Sequence, residues 1–239
     1  MTIGSPPSRQ LAALGPVGQL RAGRLGSRTV RLFAGLVLYG ASMAMMIRSQ
    51  LGQLPWDVLH VGLARHLPLS IGETIIAASF VVLLLWLPLR QAPGFGTIAN
   101  AVVIGIVTDL VLHVLAVPGP LALRIVLMLG GVLLNGVATA LYIGSQLGPG
   151  PRDGLMTGLH RRTGLSLRLV RTSIEVIVVV VGWLLGGLVG VGTVLYAIAI
   201  GPLTQALLPH FIVDLPSRGI SASSRSAPPR RGRPSPRPW

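Results

Sequence analysis

The chain has 239 residues, of which 51% are hydrophobic and only 11% are charged, and its mean hydropathy is +0.72. This number of charged residues is too small to cover the surface of a water-soluble globule. The composition therefore excludes a soluble protein and predicts an integral membrane protein. The net charge of +14 comes from arginine without any lysine, and the absence of cysteine excludes disulfides and thiolate metal sites.

Both ends of the chain are basic and poor in apolar residues. Residues 1–29 contain four arginines and no acidic residue, and residues 213–239 are rich in Arg, Pro and Ser. Both segments are predicted to be disordered and cytoplasmic. An organellar transit peptide and a nucleic-acid-binding tail are the alternatives. Basic flanks on the cytoplasmic side are what the positive-inside rule predicts for a multispanning protein, so no nucleic-acid partner is expected.

Between these ends, six apolar windows approach the about 18–20 residues that a helix needs to cross a bilayer. They cover residues 31–48, 71–89, 97–117, 123–143, 170–189 and 191–209. The sequence therefore predicts an all-α, polytopic transmembrane helical bundle whose main partner is the lipid bilayer.

The chain also repeats itself at an offset of 96 residues. From Arg31 to Leu112 the alignment needs no gap, and 27 of the 82 paired positions are identical. The segment "SQLGQLPWDVLHVGL" from Ser49 matches "SQLGPGPRDGLMTGL" from Ser145, and the shared Gly, Pro, Asp, Gln and Ser are not expected by chance in an apolar chain. This pattern predicts two tandem membrane repeats, residues 30–117 and 118–212.

A short polar segment follows the first apolar window of each repeat. From Pro55 to His66 it has about 12 helical residues, or about 18 Å, against a hydrocarbon core of about 30 Å. We predict that this segment is re-entrant, so each repeat has three spans and the second is inverted, as in many secondary transporters. Eight crossings with parallel repeats is the alternative, and the distribution of arginines fits both arrangements. Both place the two termini in the cytoplasm.

The segments "LGQLPWDVLHVGLARHLPLSIG", "GFGTIANAVVIGIVTD", "GPGPRDGLMTGL", "RTSIEVIVVVVGWLLGG" and "GVGTVLYAIAIGP" resemble the YczE/YitT-like family of bacterial integral membrane proteins. The resemblance covers residues 31–209 and leaves out both tails. It implies a multi-pass protein of the bacterial cytoplasmic (inner) membrane with no known cofactor, and it supplies no substrate.

Asp57 and Asp153 are the first candidates for a solute or ion pathway, because ionisable residues at membrane depth are costly. Each stands two residues after a proline, Pro55 or Pro151, that suits the first turn of a helix. One interpretation is a helix-start device, in which the carboxylate meets free backbone N–H groups. The other is that two half-helix starts face each other near the midplane, where the aspartates favour a cation, a proton or a polar neutral solute.

Further candidates lie near these aspartates or within the spans. His60 and His160 each share a helix face with one of the aspartates, but they do not align across the repeat and are weaker candidates. Glu175 lies in "SIEVIVVVV" one turn after Arg171, which fits either a structural salt bridge or a pathway carboxylate. Gln50 and Gln146, repeated in "SQLG", complete this set.

Other repeated residues are predicted to be structural. Two Gly-x-Gly-Thr turns contain Gly94, Gly96 and Thr97 in the first repeat, and Gly190, Gly192 and Thr193 in the second. They lack the strand that a phosphate-binding loop requires, so the glycines are expected to turn the chain and the threonines to cap the next helix. The "SIGE" segment from Ser70 predicts a capping box with Glu73.

These patterns favour a small-solute transporter or channel-like protein with a polar site at the repeat interface. A non-transport membrane scaffold or regulatory partner is the alternative, with the basic tail or the 152–171 loop as its contact region. An enzyme is not expected, because no nucleophile–base pair, metal-ligand cluster or cofactor motif is present. The expected partner is an unknown small solute or ion, without metal or cofactor, and a homo-oligomer is left open.

Overall fold

A computed structural model describes Leu11 and residues 15–215 of the chain. These residues form helices and connecting segments, with no strand in the part described, so the predicted all-α class is confirmed. The helices are α1 (Pro16–Arg21), α2 (Leu25–Ser49), α3 (Pro55–Ala64), α4 (Ile71–Trp86), α5 (Phe95–Val114), α6 (Leu121–Gly144), α7 (Pro151–Thr163), α8 (Leu167–Leu184) and α9 (Val191–Phe211). Helices α1 and α2 occupy part of the segment predicted to be disordered, and residues 216–239 of the predicted tail lie outside the described residues.

Among the described residues, four helices are long and apolar enough to cross a membrane, by length and composition: α2, α5, α6 and α9. Helix α4 is apolar but has only 16 residues, or about 24 Å at 1.5 Å per residue. Helix α8 has 18 residues, including Arg168, Arg171 and Glu175. Both end before the predicted windows 71–89 and 170–189 do, because turns at Leu87 and Leu185 interrupt the helices.

Helices α2 and α5 run in the same direction. Near their starts the rings of Phe33 and Phe95 meet edge to face with centroids 6.4 Å apart, and near their ends Arg48 donates a hydrogen bond to the carbonyl of Leu112. Helices α6 and α9 are also parallel to each other, because Tyr196 early in α9 bonds to Asn135 within α6, and the segment after α9 returns to the end of α6.

The two parallel pairs point in opposite directions. A Cβ on Gly35, in the first half of α2, would meet Tyr142 near the end of α6, whereas one on Gly131, in the first half of α6, would meet Met46 near the end of α2. Helices α2 and α6 are therefore antiparallel along a close contact made by small residues, as expected for helix packing in lipid.

The short helices lie on opposite faces of the bundle. The start of α7 lies beside the end of α4, where Trp86 donates from Nε1 to the carbonyl of Pro151 at 3.0 Å. The segment before α3 lies beside the end of α8, where the Leu188 N–H donates to Gln53 Oε1 at 3.3 Å. We call the face that carries α7 and the start of α2 the first face, and the face that carries α3 and the end of α2 the second face.

The helix pattern recurs along the chain. Helices α2, α3, α4 and α5 begin at residues 25, 55, 71 and 95, and α6, α7, α8 and α9 begin at 121, 151, 167 and 191, each 96 residues later. This spacing equals the offset at which the sequence aligns with itself. The aligned residues therefore occupy the same positions in corresponding helices.

The apolar interior is divided into two clusters. The larger joins α2, α5, α6 and α9 and contains residues such as Leu36, Met43 and Tyr196. The smaller joins α3, α4, α7 and α8 around Trp56 and Trp86. The four helices long enough to span thus form one group, and the two short helices with their shorter neighbours form the other.

Local signals in the sequence account for several helix starts. Ser70 and Glu73 form the predicted capping box of α4. Gly94 and Gly190 are the N-caps of α5 and α9, and their N–H groups donate to the hydroxyls of Thr97 at 3.1 Å and Thr193 at 3.3 Å. The side chains of Thr97 and Thr193, each at the third helical position, thus bond back to the N-cap residue of their helix. They also bond to the segments before the short helices: Thr97 donates to the Pro149 carbonyl, and Thr193 accepts from the Gln53 N–H.

Substituting Gly182 by alanine is expected to destabilise the bundle. A Cβ at Gly182 in α8 would lie against the backbone of Val58 and Leu59 in α3, so the two helices would have to separate. Overpacking of this kind costs about 1–3 kcal/mol. Thermal unfolding in detergent should therefore show a melting temperature several degrees lower. Gly201→Ala in α9 is the control, because no atom lies within 4 Å of its Cβ and alanine favours helix. Equal melting temperatures for the two variants would contradict the close packing of α3 on α8.

Candidate functional site

The starts of α3 and α7 meet between the two apolar clusters. The Arg152 guanidinium lies over the indole ring of Trp56, 5.4 Å from its centroid, and 5.9 Å from the centroid of the Tyr39 ring. Trp56 and Arg152 occupy the same position of the 96-residue pattern, directly after the prolines that begin α3 and α7. The fold therefore brings two equivalent helix starts together and places a cation on an aromatic platform between them.

Two small cavities adjoin Arg152. One has a volume of about 60 Å³ and is lined by Tyr39, Leu54, Pro55, Trp56, Arg152, Asp153, Met156, Arg171, Glu175 and Tyr196. The other has a volume of about 30 Å³ and is lined by Tyr39, Asn100, Ile104, Tyr142, Gly150, Arg152 and Asp153. Because about 10–15 Å³ accommodates one water, together they hold a small polar molecule or a few waters.

Both predicted aspartates belong to this region, in different environments. Asp57 is fully buried, with Oδ1 3.3 Å from His60 Nδ1, while its Oδ2 has no hydrogen-bond partner among residues 15–215. Asp153 is half-buried, lines both cavities, and accepts a 2.5 Å hydrogen bond from the Tyr142 hydroxyl. Arg152 interacts electrostatically with both carboxylates, so the two helix-start aspartates share one neighbouring cation.

Arg152 makes no hydrogen bond or ion pair within the described part of the chain. The Trp56 indole N–H beside it is buried and also has no partner there. A buried polar group without a hydrogen bond is costly, so unsatisfied donors and an unsatisfied carboxylate oxygen at one place are typical of a binding site.

All three tyrosines of the chain line these cavities, although they come from three different helices. The rings of Tyr39 and Tyr142 meet edge to face with centroids 6.1 Å apart. The Tyr196 hydroxyl donates to Asn135 Oδ1 at 2.9 Å, and Asn135 donates to Ser42 Oγ at 2.8 Å.

The tyrosines and Arg152 were not among the site residues predicted from the sequence. A usable signal was present, because tyrosine is common at membrane interfaces and here falls within the predicted spans.

The predicted ion pair of α8 is present at the edge of the site. Arg171 Nε lies 2.8 Å from Glu175 Oε1, and both side chains line the larger central cavity. They are 48% and 26% exposed, so the pair is not sealed in the interior. Glu175 therefore has a structural partner and also borders the cavity, and both of its predicted interpretations remain compatible with the geometry.

A larger cavity of about 480 Å³ opens on the first face, and we call it the vestibule. Its walls come from α1, the segment between α6 and α7, and α7 and α8. It shares Asp153, Met156 and Arg171 with the central cavities, so the site can be approached from this face. The segments before both short helices are bonded to neighbouring helices, because Gln53 bonds to Leu188 and to Thr193 on the second face and Thr97 donates to the Pro149 carbonyl on the first face.

The remaining predicted site residues lie elsewhere. Gln50 is exposed at the end of α2 with a left-handed φ of 53°, and Gln146 follows α6 with a φ of 55°. Their recurrence thus reflects the same helix-ending turn, although Gln146 also lines the vestibule and donates to the Val213 carbonyl at 2.8 Å. His160 is exposed, with Nδ1 2.6 Å from the Leu165 carbonyl oxygen, whereas His60 is buried beside Asp57.

Comparison with known proteins gives a family and no activity. The model of a family described as "Family of unknown function (DUF6198)" matches residues 26–209. The chain is 42% identical over 188 residues to an "Uncharacterized protein" of Haemophilus influenzae, covering 79% of this chain and 85% of that one. It is 33% identical over 182 residues to the "Uncharacterized membrane protein YczE" of Bacillus subtilis, covering 75% and 85%. No solved structure gives a significant match.

Proposed function

The chain belongs to the family of unknown function DUF6198 and is a YczE-like membrane protein, and from this premise we propose that it transports a small polar solute through the Arg152 site. The observation that carries the proposal is the half-buried guanidinium at the junction of two short helix starts, bordered by cavities and by buried polar atoms without a partner among the described residues. Half-helix starts at membrane depth are the arrangement with which many transporters bind polar cargo.

An inverted repeat supports this function. The helix starts recur at 96 residues, the parallel pair α2 and α5 opposes the parallel pair α6 and α9, and the short helices enter from opposite faces. This combination fits two units of three spans and one re-entrant helix, related by an axis in the membrane plane. In such folds the solute site lies where the two units meet.

Alternating access follows from the same arrangement. Here the site is reached through the vestibule on the first face, while Asp57 is sealed beneath the second face. In the alternate state the two units exchange environments: the region around α3 opens and the region around α7 closes. A protein built from inverted units can reach both states with little difference in free energy, because each unit adopts a conformation that the other already has.

The distribution of arginine supports a cytoplasmic first face. The loops and helix ends on that face carry Arg90, Arg161, Arg162 and Arg168, in addition to Arg21, Arg24 and Arg28 around the start of α2. The second face carries Arg48, Arg65 and Arg124. By the positive-inside rule the first face is cytoplasmic, so both termini lie on the cytoplasmic side of a bacterial inner membrane.

Substituting either Asp57 or Asp153 by asparagine is expected to reduce solute flux by about tenfold or more, because a hydrogen bond to a charged group contributes about 1.5–3 kcal/mol. The measurement uses purified protein in liposomes and a panel of labelled polar solutes small enough for the central cavities. At least one solute should cross faster with wild-type protein than without protein. Flux of that solute should then fall in both variants.

Glu73→Gln is the matched control, because Glu73 is exposed and glutamine can replace glutamate in a capping box. It should transport at the wild-type rate. The proposal is overturned if no solute of the panel crosses faster with wild-type protein, as the scaffold alternative predicts, or if the two asparagine variants transport as fast as Glu73→Gln.

A further inference from the structure

We propose that the Arg152 site binds a small zwitterion, a solute of α-amino acid type that carries one carboxylate and one ammonium group. This inference rests on the proposed transport function and specifies its substrate class. It follows from the size of the cavities, the unsatisfied groups around them and the balance of charge.

Size restricts the solute to a few atoms. The larger central cavity has a volume of about 60 Å³, which at about 10–15 Å³ per water corresponds to about four to six non-hydrogen atoms. The second cavity adds about 30 Å³ on another side of Arg152. Glycine has this size, whereas a larger solute would have to extend from the central cavities into the vestibule.

Arg152 provides the carboxylate-binding end. Its guanidinium is held over the Trp56 and Tyr39 rings and lines both cavities, while its N–H groups make no hydrogen bond within residues 15–215. A planar guanidinium fixed in this way is suited to bind a carboxylate with two parallel hydrogen bonds. The buried Trp56 indole N–H, also without a partner there, is a further donor at the cavity wall.

The aspartates provide the ammonium-binding end. Asp153 lines both cavities and has acceptor capacity beyond the hydrogen bond from Tyr142. Asp57 is buried outside the cavity lining but interacts electrostatically with Arg152, and its Oδ2 has no partner among residues 15–215. The rings of Tyr39 and Tyr196 at the cavity wall favour a cation as well.

With His60, the neighbour of Asp57, in its neutral form, the charges around the site leave one positive charge missing. Arg152 faces two carboxylates, Asp57 and Asp153, while Arg171 and Glu175 neutralise each other. A simple anion would accept hydrogen bonds from Arg152 but would increase the excess of negative charge in the site. A simple cation would leave the guanidinium without an acceptor. A zwitterion satisfies both ends, because its ammonium group balances the second carboxylate and its carboxylate occupies the guanidinium.

Binding of glycine, acetate and methylammonium to the purified full chain in detergent tests this inference. Calorimetry should give a dissociation constant for glycine at least about tenfold lower than for either single-charge analogue, since each analogue lacks one charge-assisted contact. Glycine should also raise the melting temperature in proportion to its occupancy. Arg161→Gln, an exposed substitution on α7, should retain glycine binding, and Arg152→Gln should lose it.

Arg152→Lys separates a binding defect from a folding defect, because it keeps the positive charge but lacks the planar fork. It should fold with a melting temperature near that of the wild type and bind glycine at least about tenfold more weakly. The inference is overturned if acetate or methylammonium binds as tightly as glycine, if none of the three binds, or if Arg152→Lys binds glycine like the wild type. Transport of another solute without glycine binding would overturn only this inference, and glycine binding without any flux would overturn only the transport function.

Discussion

Replacing Arg152 by glutamine should reduce solute flux by about 100-fold or more, the loss expected when a bidentate charged contact and its electrostatic field are removed together. Arg152 lines both central cavities, stacks on Trp56 and Tyr39, and interacts electrostatically with both helix-start aspartates. Glutamine would lack the charge and most of the donors. The two aspartates would then lack the Arg152 counter-charge, which also opposes binding of any solute with a carboxylate.

The matched control is Arg161→Gln, which removes the same charge from an exposed position on the same helix. It should transport at the wild-type rate. Arg152→Lys should recover only a small part of the flux, because lysine restores the charge without the planar stacking group. Melting temperatures of all three variants show whether they are folded. Flux through folded Arg152→Gln within twofold of that of Arg161→Gln would show that Arg152 is not part of the pathway.

Much of the local structure could be predicted from the sequence. Pro55 and Pro151 begin the short helices, Ser70 and Glu73 form the capping box, and Arg171 pairs with Glu175. These features depend on residues within one or two helical turns of each other, so spacing along the chain is sufficient to identify them. The predicted spans 71–89 and 170–189 are longer than α4 and α8, because hydropathy does not detect a turn within an apolar run.

The composition of the site could not be predicted in the same way. Aligning the chain with itself emphasises residues that are identical in both halves, and Gln50 and Gln146 are identical because the same turn ends two helices. Apart from the two repeated aspartates, the site uses positions at which the halves differ, and Trp56 in the first half corresponds to Arg152 in the second. Their contact joins residues that are distant in sequence, so neither periodicity nor capping rules identify it.

The tyrosines illustrate the same difficulty. Tyr39 corresponds to Asn135 at the 96-residue offset, and Tyr196 corresponds to Asn100. In the fold Tyr196 bonds to Asn135, while Tyr39 and Asn100 both line the smaller central cavity. A comparison that looks for polar residues at corresponding positions, whether or not they are identical, would have selected these four residues.

Single cysteines at Thr157 and Val61 should react with a membrane-impermeant maleimide from opposite sides of the membrane. The two residues occupy the same position of the 96-residue pattern, and the chain has no cysteine of its own, so each variant carries one thiol. Thr157 lines the vestibule on the first face, whereas Val61 on α3 is 9% exposed beneath the second face. If the protein alternates between two states, Val61→Cys becomes reachable from the second face only when the vestibule closes.

This labelling, carried out on right-side-out and inside-out membrane vesicles, is the most direct test of an inverted-repeat transporter with alternating access. Thr157→Cys should be labelled only in inside-out vesicles, with the fast kinetics of an accessible thiol. Val61→Cys should be labelled only in right-side-out vesicles and more slowly, because it is closed in the state described here. Labelling of both cysteines from the same side would contradict the inverted arrangement, and complete protection of Val61→Cys from both sides would contradict alternating access.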